Sequence, residues 1–385
     1  QRADYTLAVA LDTARHVVGG TVAIRYTNNS PDTLRFVWLQ LEQDTYAPDS
    51  RGSHVFRPES RGRAKDFVGG YTLADVTVDG KPAAHAVDDA RMRIDLDRPI
   101  PPNGGRATFA MRFSFPVPVK GSDRTGRDGT LYAIAQWYPK MAVYDDVVGW
   151  YAIPYFGQGE FYTEYGDFDV AVTVPSGYIV AATGTLANAS EVLSAEQRAR
   201  LERAARADTG RVTVVGEGER VPATGATRTW RYRAENVRDV AWAAAPDFRW
   251  DAGAWNGVML HAFYQPQKAK GAWDRAIDHT RWSIRYYSEL LLPYPYPQAT
   301  SVATTIAGME YPMIVFNPYG AAGNPESIWG VNDHEHAHQW FPMIVGTNER
   351  RFEWMDEGIG SYVNAFSREA RDTTARTWSG FLSNW

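Results

Sequence analysis

The first part of the chain, to about residue 180, consists of short β-forming segments separated by turns, and this pattern limits the fold more than any other feature. Residues 5–11, 21–27 and 34–41 are rich in β-branched or aromatic side chains and mostly alternate apolar with polar positions. Between two such segments, Asp79-Gly80 has the composition of a two-residue hairpin turn. Short, regularly spaced strands without long helices favour an antiparallel sandwich or saddle over a parallel α/β sheet.

Two segments in the middle of the chain are expected to be helical. Ser194 is followed three residues later by Gln197, a capping-box pattern that opens an Ala/Arg/Glu-rich helix, which we interpret as a surface insertion. Residues 236–245 also have a helix-like pattern, and Pro246 would end it.

Helical spacing dominates the remaining sequence. Residues 251–256 are rich in turn formers and predict a linker, and residues 271–292 predict a helix that ends before Pro293. We therefore expect an N-terminal β-rich domain at residues 1–252, with a helical insertion near 190–207, and a second domain at residues 253–385.

Composition excludes several classes of function. The 40 Lys and Arg against 45 Asp and Glu give a net charge of −5, which provides no attraction for a polyanion, so we expect no nucleic-acid partner. No run approaches the ~18 apolar residues that a transmembrane helix needs, so we expect no membrane segment. The chain has 0 Cys, which excludes disulfides and thiolate ligands, so any metal must be held by histidine and carboxylate side chains.

Two features of the sequence bear on the cellular compartment of the protein. A cysteine-free chain that begins at Gln1 favours a secreted or periplasmic mature protein, with a cytoplasmic protein as the alternative. Oligomeric state is not assigned by the sequence.

The strongest chemical signal is an H-E-x-x-H pattern formed by His334, Glu335 and His338. On a helix, residues four apart lie about 40° apart around the axis and one turn along it, so both imidazoles can reach one ion. Glu335 lies about 100° away from the first histidine, where it can contact a water bound to the metal. Catalytic zinc needs a third protein ligand, and Glu357, eighteen intervening residues after His338, is the candidate.

The motif, the spacing and the Asp356-Glu357-Gly358 context together resemble the gluzincin metallopeptidases of the aminopeptidase N type. Gly308-Met309-Glu310-Tyr311 is similar to that family's Gly-x-Met-Glu-Asn strand and lies at a similar distance before the zinc helix. The resemblance covers about residues 307–362 and implies a zinc-dependent peptidase with one Zn²⁺ ion.

Site roles follow from the resemblance residue by residue. It implies His334, His338 and Glu357 as zinc ligands and Glu335 as the general base. Glu310 would anchor the free α-ammonium of a peptide substrate, and the same strand supplies the substrate-binding residues Gly308 and Met309. Gln136 resembles a glutamine of the β domain that reaches the family's substrate site.

The resemblance also implies the architecture: an all-β antiparallel N-terminal domain followed by an α+β thermolysin-like catalytic domain. The family's transition-state tyrosine lies well downstream of the third ligand, and residues 381–385 are apolar and helix-like. We therefore expect the catalytic domain to be truncated at its C-terminal side in this chain.

Two departures leave alternatives open. Tyr311 replaces the usual Asn of the strand motif, and Asn364 stands where many relatives carry a Glu that supports the ligands. The main interpretation is an aminopeptidase acting on peptides with a free N-terminus. The alternatives are a zinc endopeptidase with the same core and a non-catalytic scaffold that retains the fold.

Overall fold

The computed structural model describes residues 1–55, 67–119, 124–156, 159–223 and 225–372. The apolar segment expected to be helical at residues 381–385 lies outside this described part. Within it, no helix has both the length and the apolar character needed to cross a membrane.

Strands outnumber helices in the described part of the chain. In chain order, the strands are β1 (Arg2–Asp12), β2 (Val17–Asn28), β3 (Leu34–Gln40), β4 (Thr72–Val78), β5 (Lys81–Pro82), β6 (His85–Val87), β7 (Arg91–Ile100), β8 (Gly105–Pro116), β9 (Gly126–Asp128), β10 (Leu131–Ile134), β11 (Lys140–Met141), β12 (Tyr144–Asp145), β13 (Gly149–Trp150), β14 (Gly166–Pro175), β15 (Ile179–Ala182), β16 (Thr185–Leu186), β17 (Val212–Val215), β18 (Thr227–Val237), β19 (Trp242–Ala245), β20 (Arg249–Trp255), β21 (Val258–Tyr264), β22 (Gln298–Ala303), β23 (Met309–Tyr311) and β24 (Ile314–Asn317). The helices are α1 (Arg51–Val55), α2 (Ala189–Val192), α3 (Ala195–Ala204), α4 (Pro266–Ala269), α5 (Ala276–Leu290), α6 (Trp329–Ala337) and α7 (Glu357–Arg371).

The chain divides into two compact units, and each is made of two stretches of sequence. Unit 1 comprises residues 1–192 and 222–245, and unit 2 comprises residues 193–221 and 246–385. The grouping differs from the predicted domains 1–252 and 253–385 because residues 193–221 provide β17, which pairs with β20 of unit 2.

Unit 1 is built from β-sheets, as the alternating sequence predicts. Its largest sheet has eight strands in the order β16-β18-β14-β1-β2-β8-β4-β5. In β1 every second side chain is buried, which is the period of two that places one face of a strand on the core. The predicted hairpin at Asp79-Gly80 is confirmed, since both residues have positive φ and Val78 pairs with Lys81.

The expectation of a wholly antiparallel domain was wrong in the eight-stranded sheet. β1 and β14 pair in parallel, with Tyr5 opposite Phe168. A tight hairpin forces antiparallel pairing, but a strand that returns after a long stretch of chain can enter the sheet from either end.

Unit 2 combines a mixed sheet with helices, among them α3, α5, α6 and α7. The sheet order is β17-β20-β21-β22-β24-β23, in which β21, β22 and β24 run parallel. Every residue of β22 and β24 is buried, as expected for parallel strands covered on both faces. Helix α5 buries Ile277, Thr280, Ile284 and Tyr287 on one side, which is the helical spacing that predicted it.

Two predicted elements were wrong. Residues 236–245 form the end of β18 and all of β19 instead of a helix, and residues 251–256 lie mostly in β20 instead of a linker. The real turn is Asn256-Gly257, both with positive φ, which joins β20 to β21. The capping box at Ser194 is confirmed, but the helix it opens, α3, belongs to unit 2.

Candidate metal centre

Helix α6 carries the two candidate histidine ligands one turn apart. The helix begins at Trp329 after a 3₁₀ turn at Pro325–Ile328 and ends at Ala337, with His338 as its C-terminal cap. The Nε2 atoms of His334 and His338 lie 3.2 Å apart. The imidazoles therefore present the same ring nitrogen to one point.

Helix α7 brings the candidate carboxylate to that point. Glu357 is its first residue, and Oε2 lies 3.3 Å from Nε2 of His334 and 3.7 Å from Nε2 of His338. Helix α7 is held against the rest of unit 2 by the buried residues Gly360, Val363 and Ser367. The helix continues from Glu357 to Arg371.

These three atoms fit a zinc ion. Ligand atoms about 2.1 Å from a tetrahedral ion are about 3.4 Å from one another, and the observed separations are 3.2, 3.3 and 3.7 Å. Two imidazoles and one carboxylate are also a donor set of catalytic zinc sites, which leave the fourth position open. The side chain of Glu357 is 55% exposed and that of His334 25% exposed, so the ion would be reachable from solvent.

The other ring nitrogen of His338 is held by oxygen atoms. Nδ1 lies 2.7 Å from Oδ1 of Asp356 and 2.9 Å from the carbonyl oxygen of Phe341. Such partners fix the orientation of a metal-binding histidine and raise its basicity. Asp356 is not among the residues that the sequence predicted for the site, although it stands next to Glu357 in the motif.

The surroundings of His338 are strongly acidic. Its Nδ1 or Nε2 lies within 4.8 Å of a carboxylate oxygen of both Glu310 and Asp356. Burial alone would lower the pKa of His338, but the surrounding carboxylates raise that pKa well above its ordinary value. A divalent cation would neutralise this excess of negative charge.

The strand motif and the candidate base lie beside the same site. β23 places Met309 and Glu310 in a buried edge strand paired with β24. Gly308 precedes it with a φ of +76°, and a Cβ added there would lie 3.7 Å from Oε1 of Glu335. The structure therefore brings Gly308 and the buried Glu335 together. The ring of Tyr311 packs on Phe316, with ring centroids 5.7 Å apart.

His336, between the two candidate ligands, is outside the donor group. Its Nδ1 lies 2.7 Å from the carbonyl oxygen of Asn332, and burial lowers its pKa to about 4.

Gln136 lies in unit 1. It is fully buried, its side-chain oxygen accepts a hydrogen bond from Lys140 at 2.5 Å, and its backbone oxygen accepts one from Gln43 at 2.8 Å. A role in substrate binding stays a prediction.

Comparison with known proteins gives matches in sequence and in fold. No protein-family model matches the chain. Human aminopeptidase N is 26% identical over 133 residues, which is 31% of this chain and 14% of the relative. Chicken aminopeptidase Ey is 34% identical over 65 residues, or 17% of this chain and 7% of the relative. The chain thus matches only a small part of the length of these curated relatives.

Solved structures match over the whole chain. The M1 zinc metallopeptidase of Deinococcus radiodurans has a TM-score of 0.63 at 16% identity, covering 100% of this chain and 74% of that one. A mutant of the same protein bound to a Tyr-Ser-Ala substrate has a TM-score of 0.61 at 14% identity, covering 100% of this chain and 75% of that one. The fold and the sequence matches together confirm the resemblance to the gluzincin zinc metallopeptidases of the aminopeptidase N type.

Proposed function

We propose that this chain is a zinc-dependent aminopeptidase that hydrolyses the N-terminal peptide bond of peptides. The observation that carries the proposal is the convergence of three donor atoms, from His334, His338 and Glu357, at the separations that a tetrahedral zinc ion requires. Unit 2 is then the zinc-binding part of an α+β thermolysin-like catalytic domain. Its zinc-peptidase relatives support this assignment.

Each side chain has a distinct part in the reaction. A zinc ion held by the three ligands supplies a Lewis acid that lowers the pKa of bound water toward ~7 and stabilises negative charge on the substrate carbonyl oxygen. Glu335, buried beside Gly308, accepts the proton of the attacking water and returns it to the leaving amine. Asp356 holds the ring of His338 in place.

Glu310 accounts for the preference for a free N-terminus. Its carboxylate is buried and lies near the metal-binding atoms, so an ammonium group that reaches it forms a charge-assisted contact in a poorly solvated place. A substrate held in this way is cleaved a fixed distance from its first residue. Peptides with a free N-terminus are therefore the proposed partners.

The cellular location of the protein, secreted or periplasmic, stays a prediction.

The proposal is tested by metal analysis and by hydrolysis of an aminoacyl-anilide by the full-length protein. We expect about one zinc per chain, and E335Q should keep that zinc while the rate falls about 10²–10⁴-fold because the general base is lost. E353Q is the matched control, since Glu353 is an exposed carboxylate just before α7 and lies outside the donor group. Metal-free wild-type protein, or E335Q with an unchanged rate, would contradict the proposal.

Blocked substrates separate the alternatives. An aminopeptidase should lose cleavage when the N-terminus of a test peptide is acetylated, and E310Q should raise the KM for free peptides. Undiminished cleavage of the acetylated peptide would instead indicate an endopeptidase. Stoichiometric zinc without hydrolysis of either peptide would indicate a non-catalytic scaffold.

A further inference from the structure

A fully buried carboxylate lies on α6 immediately before the first candidate metal ligand. Asp333 has no exposed surface, and its two oxygens accept hydrogen bonds from two neighbouring helices. Ser283 and Tyr287 of α5 donate from 2.7 and 3.0 Å. Asn364 and Ser367 of α7 donate from 2.5 and 3.1 Å. One carboxylate therefore joins α6 to both α5 and α7.

Helices α6 and α7 contact each other with their chain directions opposed. Asp333 meets Asn364, whereas His338, further along α6, lies against Gly360, which comes earlier in α7. Glu357 and Asn364 are seven residues apart, which is about two turns, so they lie on nearly the same face of α7. The face of α7 that donates a hydrogen bond to Asp333 is thus the face that carries the candidate ligand Glu357.

This arrangement resists sliding of one helix along the other. Four donors hold the carboxylate, and a shift of α7 would leave buried oxygen atoms without their hydrogen bonds in a dry interior. The bond between Asp333 and Asn364 therefore fixes how far the histidines of α6 stand from Glu357.

We propose that Asp333 and Asn364 form the positioning pair of the metal centre, which sets the spacing between the histidine ligands and the carboxylate ligand. This inference rests on the proposed zinc site and adds two residues to it. Neither residue is one of the candidate metal ligands. The pair acts on zinc affinity through the placement of α6 against α7.

The test measures zinc affinity and folding separately in the full chain. Zinc dissociation constants are obtained by competition with a chelator, and melting temperatures are measured on the zinc-free protein. We expect D333N and N364A to weaken zinc binding about tenfold or more, as loss of supporting groups around metal ligands generally does. The exchanged pair D333N/N364D puts the carboxylate on α7 and the amide on α6, and it should recover part of the lost affinity.

D251N is the matched control. Asp251 is also a buried carboxylate of unit 2 that accepts hydroxyl donors, from Thr213 at 2.7 Å and Tyr264 at 2.8 Å, but it lies on β20. We expect it to lower the melting temperature and leave the zinc dissociation constant within about twofold of wild type. N364A leaves the other donors to Asp333 in place and decides the test alone when D333N does not fold.

The outcomes separate the two proposals. Zinc affinity within about twofold of wild type in N364A and in folded D333N overturns the positioning role, and so does an equal loss of affinity in D251N. Wild-type protein that takes up no zinc overturns the proposed function together with this inference.

Discussion

At the scale of single residues, the candidate metal centre depends on a glycine, which has no side chain beyond Cα. Gly360 lies in α7 directly against the ring of His338, and a Cβ added there would be 3.0 Å from Cε1 and 3.3 Å from Nδ1. Both distances are shorter than ordinary van der Waals contact. Nδ1 of the same ring also lies 2.7 Å from Oδ1 of Asp356, and this contact restrains the ring from moving away.

Substitution of Gly360 should therefore separate helix stability from metal binding. We expect G360A to weaken zinc binding, because the new methyl group pushes the His338 ring out of line, even though alanine is favoured over glycine in a helix by about 1 kcal/mol. G358A is the control, since its Cβ would lie 3.5 Å from Trp354 Cβ, an ordinary contact. It should leave zinc affinity unchanged, as measured by chelator competition. Equal affinity for zinc in the two variants would show that the glycine is not needed.

The sequence could predict some of these residues and not others. His334 and His338 share one helix, so their spacing alone places their rings together, and Glu357 follows from its distance along the chain. Asp356 bonds the far nitrogen of His338, and that pairing depends on how two helices pack. The bond between Asp333 and Asn364 depends on the same packing.

At the scale of elements, local pattern predicted most strands and the long helices but failed where burial overrides propensity. The alanine-rich segment of β19 has a helix-like composition, yet all four residues are buried between β15 and β10. Residues 251–256 contain the turn formers Asp, Gly and Asn, but Asp251 is held inside β20 by Thr213 and Tyr264. Such contacts come from distant sequence and cannot be read from a short window.

A further element of unit 1 is polar and buried as a whole. The 3₁₀ turn at Glu42–Tyr46 has all five residues buried. Glu42 pairs with Lys140 at 2.7 Å, and Asp44 accepts a hydrogen bond from the backbone of Tyr71 at 2.6 Å. Burial raises the pKa of Asp44 to about 6, and that hydrogen bond only partly opposes it.

The buried turn should make the stability of unit 1 depend on pH. Between about pH 4 and 6 the folded chain holds a proton on Asp44 that the unfolded chain has released, so stability falls as pH rises through this window. D44N removes the charge, and we expect it to be more stable than wild type by roughly 1–3 kcal/mol above pH 6, with the difference shrinking toward pH 4. Denaturant unfolding at several pH values measures it.

The control for Asp44 is its exposed neighbour Asp49, for which D49N should leave the pH dependence unchanged. A D44N protein whose advantage over wild type is the same at pH 4 and pH 7 would contradict the assignment.

At the scale of the whole molecule, the two units are interleaved in sequence. The chain passes from one unit to the other three times, after residues 192, 221 and 245. The segment 193–221 contributes α3 and β17 to unit 2, between two stretches that belong to unit 1. Sequence alone suggested an insertion at this point, but the pairing of β17 with β20 could not be predicted because the two strands are far apart in the chain.

Metal binding should reveal this interleaving. A ligand that binds only the folded state stabilises the region that unfolds with its site, so zinc should slow amide hydrogen exchange across unit 2. We expect slower exchange in β17 as well as in β20 and β21 when zinc is added to chelator-treated protein, and a smaller change in β15 and β16. Exchange in β17 that does not respond to zinc would contradict its assignment to unit 2.

β17 is an edge strand of the six-stranded sheet, and this position affects how a shorter fragment of the chain should be chosen for expression. A fragment that starts at residue 246 keeps every candidate zinc ligand but uncovers the backbone edge of β20 at Trp250–Ala252, and unprotected strand edges recruit other chains. The aggregation of such a fragment would say nothing about its chemistry. A soluble catalytic piece would need the 193–221 segment grafted back beside it.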